Sequence, residues 1–207
     1  MVQKSTPKKK KKETVLPAYL VYEEIDGKAL PYKVFKEVLA KTKKVEEIMG
    51  SGALQSFIVS LVYGFLFTHL DRKKYFPFTN EAGLHLEKGN NLANDIAVYS
   101  KSLGKSLLQE KYRNTPPIVA IEVDTKIEFD EETFDSPQFY MLAKSQKLLD
   151  FGTKKVVWIL TESKKIFVII PGKEWKIVDF DTDIPILDDC VLNLAKLLEE
   201  EGVEYKW

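Results

Sequence analysis

The run Pro116-Pro117-Ile118-Val119-Ala120-Ile121-Glu122-Val123-Asp124 constrains the fold of this chain more than any other segment. Consecutive apolar residues without polar alternation read as a strand covered on both faces, and therefore central in a sheet. The run ends in two carboxylates one residue apart. Strand side chains alternate, so Glu122 and Asp124 point to the same side. Charge buried at that place is costly unless it is paired, and a divalent cation is a strong candidate partner. A second acid, Asp95, opens another strand-like run, Asp95-Ile96-Ala97-Val98-Tyr99. The functional reading requires these two strands to lie side by side.

The rest of the chain supplies a frame for that strand. Asp26-Gly27 is a turn signal between short extended pieces. Val34, Val38 and Leu39 sit at helical spacing and predict a helix over residues 31–42. After the break at Gly50-Ser51-Gly52, Leu54, Phe57, Ile58, Leu61, Val62, Phe65 and Leu66 predict a deeply packed helix over residues 53–70. Residues 75–86 read as extended but broken at Thr79-Asn80, and Gly89-Asn90-Asn91 as a turn. Residues 100–115 read as a loop or short helix, and residues 126–132 as an acidic loop. Ser136-Pro137 is a helix start, and that helix ends near Phe151-Gly152. Residues 156–160, 165–170 and 175–180 alternate with turns, as in an antiparallel meander. A last helix is expected over residues 190–200. This order predicts a mixed α/β (α+β) domain with one central sheet flanked by helices, spanning residues 15–207 behind a basic flexible tail, residues 1–14.

Length and composition narrow the chemistry. At 207 residues the chain is long enough for one substantial core. The apolar stretch over residues 57–70 is too short and too polar to span a bilayer, and the N-terminus lacks the apolar core of a signal peptide, so no membrane role and a cytoplasmic location are expected. Cys190 is the only cysteine, and His69 and His85 are the only histidines. A thiolate cluster or nitrogen-and-sulfur zinc site is therefore disfavoured, and a metal would be held mainly by oxygen. Six of the 31 basic residues are Lys4 and Lys8 to Lys12, which leaves 25 basic against 31 acidic residues in the remainder. Such a lysine run is either a solubilising extension or a loose tether to a polyanion.

An acid opening one strand and an acid closing its neighbour can share magnesium, which polarises a phosphate and activates a water. A lysine nearby can position or deprotonate that water, or stabilise developing charge. The same spacing also describes a strand-end carboxylate in a salt bridge. The helix after Pro137 adds a candidate. Tyr140, Met141, Leu148 and Phe151 form one apolar arc at ~100° per residue, and Lys144 is its only polar member. Either Lys144 has a buried partner, or its stem packs while its amine reaches water. Lys147 lies nearer the boundary of the arc.

At these residues the chain resembles the PD-(D/E)XK restriction-endonuclease-like superfamily, and within it the Uma branch. Four segments carry the resemblance: Tyr22-Glu23-Glu24-Ile25-Asp26-Gly27, Asn94-Asp95-Ile96-Ala97-Val98, Pro117-Ile118-Val119-Ala120-Ile121-Glu122-Val123, and a helix with Lys144 eight residues before Gly152 and the Trp158 strand. The resemblance covers roughly residues 18–185. It implies a restriction-endonuclease-like mixed β-sheet and hydrolysis of DNA phosphodiesters with Mg2+ or Mn2+. Asp95 and Glu122 would hold the metal, and Lys144 would be the catalytic lysine, carried on the helix rather than on the strand. A homodimer matching the two-fold symmetry of duplex DNA follows by the same analogy.

The chain departs from that pattern at several places. Asn94 stands where the branch has proline. Asp124 stands where the superfamily has lysine, and would either add a metal ligand or replace a useful positive charge. Leu54-Gln55 stands where the branch often has histidine-glutamine, so that Gln55 either faces the site or is surface polar. Glu128, Asp130, Glu131, Glu132 and Asp135 make the following segment acidic, and acids near a DNA path repel phosphates. These departures keep two alternatives open: a diverged nuclease-fold interaction domain, or a hydrolase of another phosphate ester. The histidines read as structural, Cys190 lacks an adjacent base, and Trp158, Trp175 and Trp207 read as core or sheet surface before base-stacking platforms.

Overall fold

In the computed structural model, described for residues 16–108, 111–124 and 136–204, side chains alternate across one large sheet. The chain runs β1 (Val21–Ile25), β2 (Lys28–Pro31), α1 (Phe35–Leu39), α2 (Ala53–His69), β3 (Tyr75–Glu87), β4 (Asn90–Ser100), β5 (Val119–Asp124), α3 (Pro137–Phe151), β6 (Lys155–Leu160), β7 (Lys165–Ile169), β8 (Lys176–Asp179), β9 (Ile184–Leu187), β10 (Cys190–Leu192) and α4 (Leu194–Glu200). The sheet has eight strands, ordered β2-β1-β4-β5-β6-β7-β8, with β3 also paired to β4. The run at Val119 is central, as its lack of alternation requires: Val119 to Val123 are all buried. β5 and β6 pair in parallel, and every other ladder of the large sheet is antiparallel.

Each face of the sheet has its own core. Ile96, Val98, Ile121, Val123, Val157 and Ile159 pack with Ile58, Val62 and Leu66 of α2 and with Leu194 and Leu198 of α4. Ala97, Tyr99, Ala120, Val156 and Trp158 pack on the opposite face with Tyr140, Met141 and Leu148 of α3. A parallel pair needs a crossover, and α3 is that crossover between β5 and β6. Ser136 caps it by accepting from Phe139 N at 3.3 Å. At its other end Gly152, at φ 118°, donates its N–H to the carbonyls of Leu148 and Leu149.

β4 is the hinge of the architecture. One of its edges is followed by β3 from Tyr75↔Ser100 to Glu87↔Asn90. The other edge is shared by two strands: β1 pairs at Glu24↔Asn91, and β5 pairs only from Ile96↔Ile121 to Val98↔Val119. Between those ladders, residues 92–95 have no strand on that edge. The alternation of β4 also breaks there. Leu92 lies in the α3-side core, and so do Ala97 and Tyr99, although an even and an odd position cannot share a face of a regular strand.

Several local expectations are corrected. The helix expected over residues 31–42 is a short α1 preceded by Val34 in the left-handed region at φ 65°. Of the inner face expected for α2, Ile58, Val62 and Leu66 are buried, whereas Phe57 is exposed, so the packed stripe is narrower. The break at Thr79-Asn80 is a bulge inside β3, with Asn80 and Glu81 at φ 68° and 54°. Asp95 lies mid-strand rather than opening β4. Cys190 is in β10, and α4 starts after Asn193, whose side chain accepts from Lys196 N at 3.1 Å. The basic tail, the acidic segment 126–132 and Trp207 lie outside the described residues. Among the described residues no helix is long and apolar enough to cross a membrane.

The C-terminal turn of α3 makes a stability prediction. A Cβ at Gly152 would come 3.1 Å from Pro116 Cγ, in a backbone conformation that L residues rarely adopt. Gly152→Ala is expected to destabilise by about 1–3 kcal/mol. Gly64→Ala, on the open side of α2 with nothing near the added carbon, is expected to stabilise by a few tenths to about 1 kcal/mol. Urea midpoints of the two variants check the contrast.

Candidate active site

The unpaired stretch of β4 is closed by side chains. Both backbone groups of Ala93 face the edge that no strand covers, and a buried peptide must find partners. Its N–H donates to Glu23 Oε1 at 2.8 Å. Its carbonyl accepts from Lys144 Nζ at 2.7 Å. Lys144, 1 % exposed, lies 2.8 Å from Glu23 Oε1 and donates to Glu122 Oε2 at 2.9 Å. Tyr140, one turn before Lys144 on α3, donates its hydroxyl to Glu23 Oε2 at 2.7 Å. Asn94 donates Nδ2 to Glu122 Oε1 at 2.5 Å. One ammonium and two acidic side chains thus join β1, β4, β5 and α3.

Asp95 occupies the fork between β4 and β5. Its Oδ2 accepts from Val123 N at 2.7 Å, in place of a ladder bond, and its side chain also bonds Gln55 of α2. The carboxylates of Asp95 and Glu122 are close enough for Asp95 to raise the pKa of Glu122. Asp124, at the end of β5, lies 3.6 Å from Lys33 Nζ, which comes from the segment after β2. Lys147 pairs with Asp26 at the surface and takes no part. Trp158 is core and donates Nε1 to Ser145 Oγ at 2.9 Å. Burial pushes the Cys190 thiol up to about 11, which suits an inert side chain. His69 contacts Thr68 and Phe65, and His85 contacts Asn91.

The electrostatics follow from burial and from an excess of acid. Burial raises Glu122 to about 8; Lys144 opposes that rise, and Asp95 and Glu23 reinforce it. Burial also raises Asp95, against the Val123 N–H, Lys144 and Gln55. Burial alone would lower Lys144, but Glu122 and Glu23 outweigh it and hold the amine well above its ordinary range. Lys144 is therefore an ammonium at neutral pH. Glu81, on the β3 bulge, is also raised, by partial burial and then by Asp95 and Glu23.

The donor set suits a hard cation held by few protein ligands. Among the described residues no group of three or more His, Cys, Asp or Glu side chains is placed to hold a metal ion, so an ion here would rest on one or two carboxylates. Magnesium is commonly held by one or two carboxylates, with waters and substrate phosphates completing its shell. Glu23 and Glu122 flank Lys144, and Asp95 lies close enough to feel its charge. The buried Oδ1 of Asn94 has no hydrogen-bond partner among the described residues and is a further oxygen beside Glu122.

Sequence reasoning assigned no role to Glu23, Tyr140 or Asn94. The signal for Glu23 was the acid pair Glu23-Glu24 on a short strand, but the β1 ladder shifts register between Val21 and Glu23, which hides which acid turns inward. Tyr140 read only as part of an apolar arc. Asn94 read as a lost proline, although an amide supplies the donor that proline lacks.

No family model matches the sequence, and no curated protein matches it. The fold is similar to that in the crystal structure of a protein described as a candidate nuclease belonging to DUF820 from Anabaena variabilis. That likeness has a TM-score of 0.63 and 19% identity, and covers 89% of this chain and 93% of the other. It establishes the shared architecture: a mixed central sheet flanked by helices.

The raised pKa of Glu122 carries a pH signature. An unfolded glutamate loses its proton near 4.5, whereas the folded protein keeps it up to about 8. The stability this proton contributes is complete below 4.5 and lost as pH rises toward 8. With a chelator present, wild type is expected to lose stability relative to Glu122→Gln across that window, by at most about 1.4 kcal/mol per pH unit. Urea midpoints from pH 4.5 to 8.5 give the difference; parallel curves would exclude the shift.

Proposed function

We propose that this protein is a metal-dependent endonuclease that hydrolyses DNA phosphodiester bonds, a member of the PD-(D/E)XK superfamily near its Uma branch. The observation that carries this reading is the fork of β4 and β5, where Asp95, Glu122 and the Lys144 ammonium meet. The architecture shared with a candidate nuclease supports it. Asp95 and Glu122 would hold Mg2+ or Mn2+, with Asp124 adjusting the metal from the end of β5. The ion, when bound, supplies Lewis acidity toward a phosphate oxygen and lowers the pKa of a water.

The protein's own groups set the remaining roles. The Lys144 amine stays protonated, so it acts as a fixed positive charge toward the phosphate and not as a proton acceptor. Asn94 and Lys144 fix the two oxygens of Glu122. Gln55 and the Val123 N–H fix Asp95. We further propose a cytoplasmic location and, by analogy with duplex symmetry, two copies acting together on DNA.

One observation favours the competing reading of a non-catalytic domain that kept the fold. The Lys144 ammonium has three hydrogens, and Ala93 O, Glu23 and Glu122 lie within 2.9 Å of it to take them. Catalysis requires Glu122 or Lys144 to exchange a partner when substrate and metal enter.

Plasmid nicking with Mg2+ or Mn2+ separates the readings. Wild type is expected to cut, and Asp95→Ala and Glu122→Ala to lose at least ~100-fold in rate. Lys144→Met is expected to lose a similar factor without losing metal binding. DNA left intact by wild type under both metals would exclude catalysis on DNA, and a panel of phosphodiesters then tests hydrolysis of another ester.

A further inference from the structure

We propose that Glu23 is the standing counter-ion of Lys144, and that this frees Glu122 to turn to a divalent cation. The inference rests on the nuclease reading above and gives its two buried glutamates different roles. Glu23 is locked. Its side chain is fully buried, Oε1 takes the Ala93 N–H and faces Lys144, and Oε2 takes the Tyr140 hydroxyl. Every bond that holds it comes from the protein interior. Glu122 is held less fully. Its side chain is 6 % exposed, its partners are Asn94 and Lys144, and it stands close enough to Asp95 to feel its charge.

A lysine paired with a single buried acid resists separation, because an acid that leaves strands an uncompensated charge. Here Lys144 has two acids and a carbonyl. If Glu122 moves toward a cation, Glu23 and Ala93 O still satisfy the ammonium. Glu23 itself has no route to such a cation without breaking the Ala93 and Tyr140 bonds. It is therefore a positioning residue that acts through Lys144. Tyr140 supports it by fixing the far oxygen.

The test is Mn2+ affinity, measured by electron paramagnetic resonance on the full chain without DNA. Wild type is expected to bind Mn2+, and Glu122→Ala to lose it. Glu23→Gln leaves Lys144 with Glu122 as its remaining acidic partner, and is expected to weaken Mn2+ by ~10-fold or more. The double variant Glu23→Gln/Lys144→Met removes the ammonium that retains Glu122, and is expected to return to the affinity of Lys144→Met alone. A residue needed only for packing would leave the double variant as weak as Glu23→Gln. That result, or unchanged affinity in a folded Glu23→Gln, overturns the inference while the nuclease reading stands. No Mn2+ binding by wild type overturns both. If Glu23→Gln does not fold, Tyr140→Phe decides: a weakening of ~3-fold, reversed by Lys144→Met, supports the proposal, and unchanged affinity overturns it.

Discussion

The ammonium of Lys144 ties together elements that the backbone leaves apart. β1, β4 and β5 do not form a continuous ladder around Ala93, because β1 and β5 share one edge of β4 and diverge between Asn91 and Ile96. The Ala93 peptide would be orphaned there. Glu23 and Lys144 supply the acceptor and the donor that a neighbouring strand would have given. Breaking such a buried pair costs about 3–5 kcal/mol, because the remaining charge has nowhere to go. The candidate site is thus also the seam that closes the sheet.

That seam explains why so many irregularities gather within a few residues. The β3 bulge at Asn80 and Glu81 lies opposite Asp95 and bends the partner strand there. The alternation of β4 breaks next to it, so Asn94 reaches Glu122 while Asp95 reaches the Val123 N–H. The β1 ladder shifts at Tyr22, which brings Tyr22 and Glu23 to the same ammonium. A regular sheet would alternate these groups onto opposite faces. The crossover through α3 then sets Lys144 and Tyr140 against Ala93, Glu23 and Glu122. The local backbone distortions and the electrostatic cluster are one construction.

The parts legible in the sequence were those with a strong period or a strong contrast. The apolar run at Ile118, the capped helix after Ser136 and the meander after Lys155 each carry their own signal. Lys144 stood out because a lysine among Tyr140, Met141, Leu148 and Phe151 contradicts its surroundings. Glu23 did not stand out, because Glu24 beside it is equally acidic and a register shift decides which one turns inward. Asn80 looked like a turn because asparagine tolerates the left-handed region, but the same tolerance serves a bulge. The strands near Ile184 and Cys190 escaped because they are only four and three residues long, and Cys190 read as the start of the last helix. Local signals reveal elements; the splay of two strands from a third is a long-range property that no window contains.

Asp124 and Lys144 are best understood together. In the pattern the sequence resembles, the strand itself carries the lysine two residues after the glutamate. Here that place holds Asp124, and the positive charge arrives from α3 instead. With the ammonium supplied from the helix, a second cation on the strand would add like charge to the same strand end as Lys144. An acid there is tolerated, and Lys33 lies 3.6 Å from it and offsets its charge. Lys144 remains the buried positive group, held by Glu23 and Glu122. The acid at position 124 therefore does not by itself remove the positive charge that Lys144 brings to the end of β5.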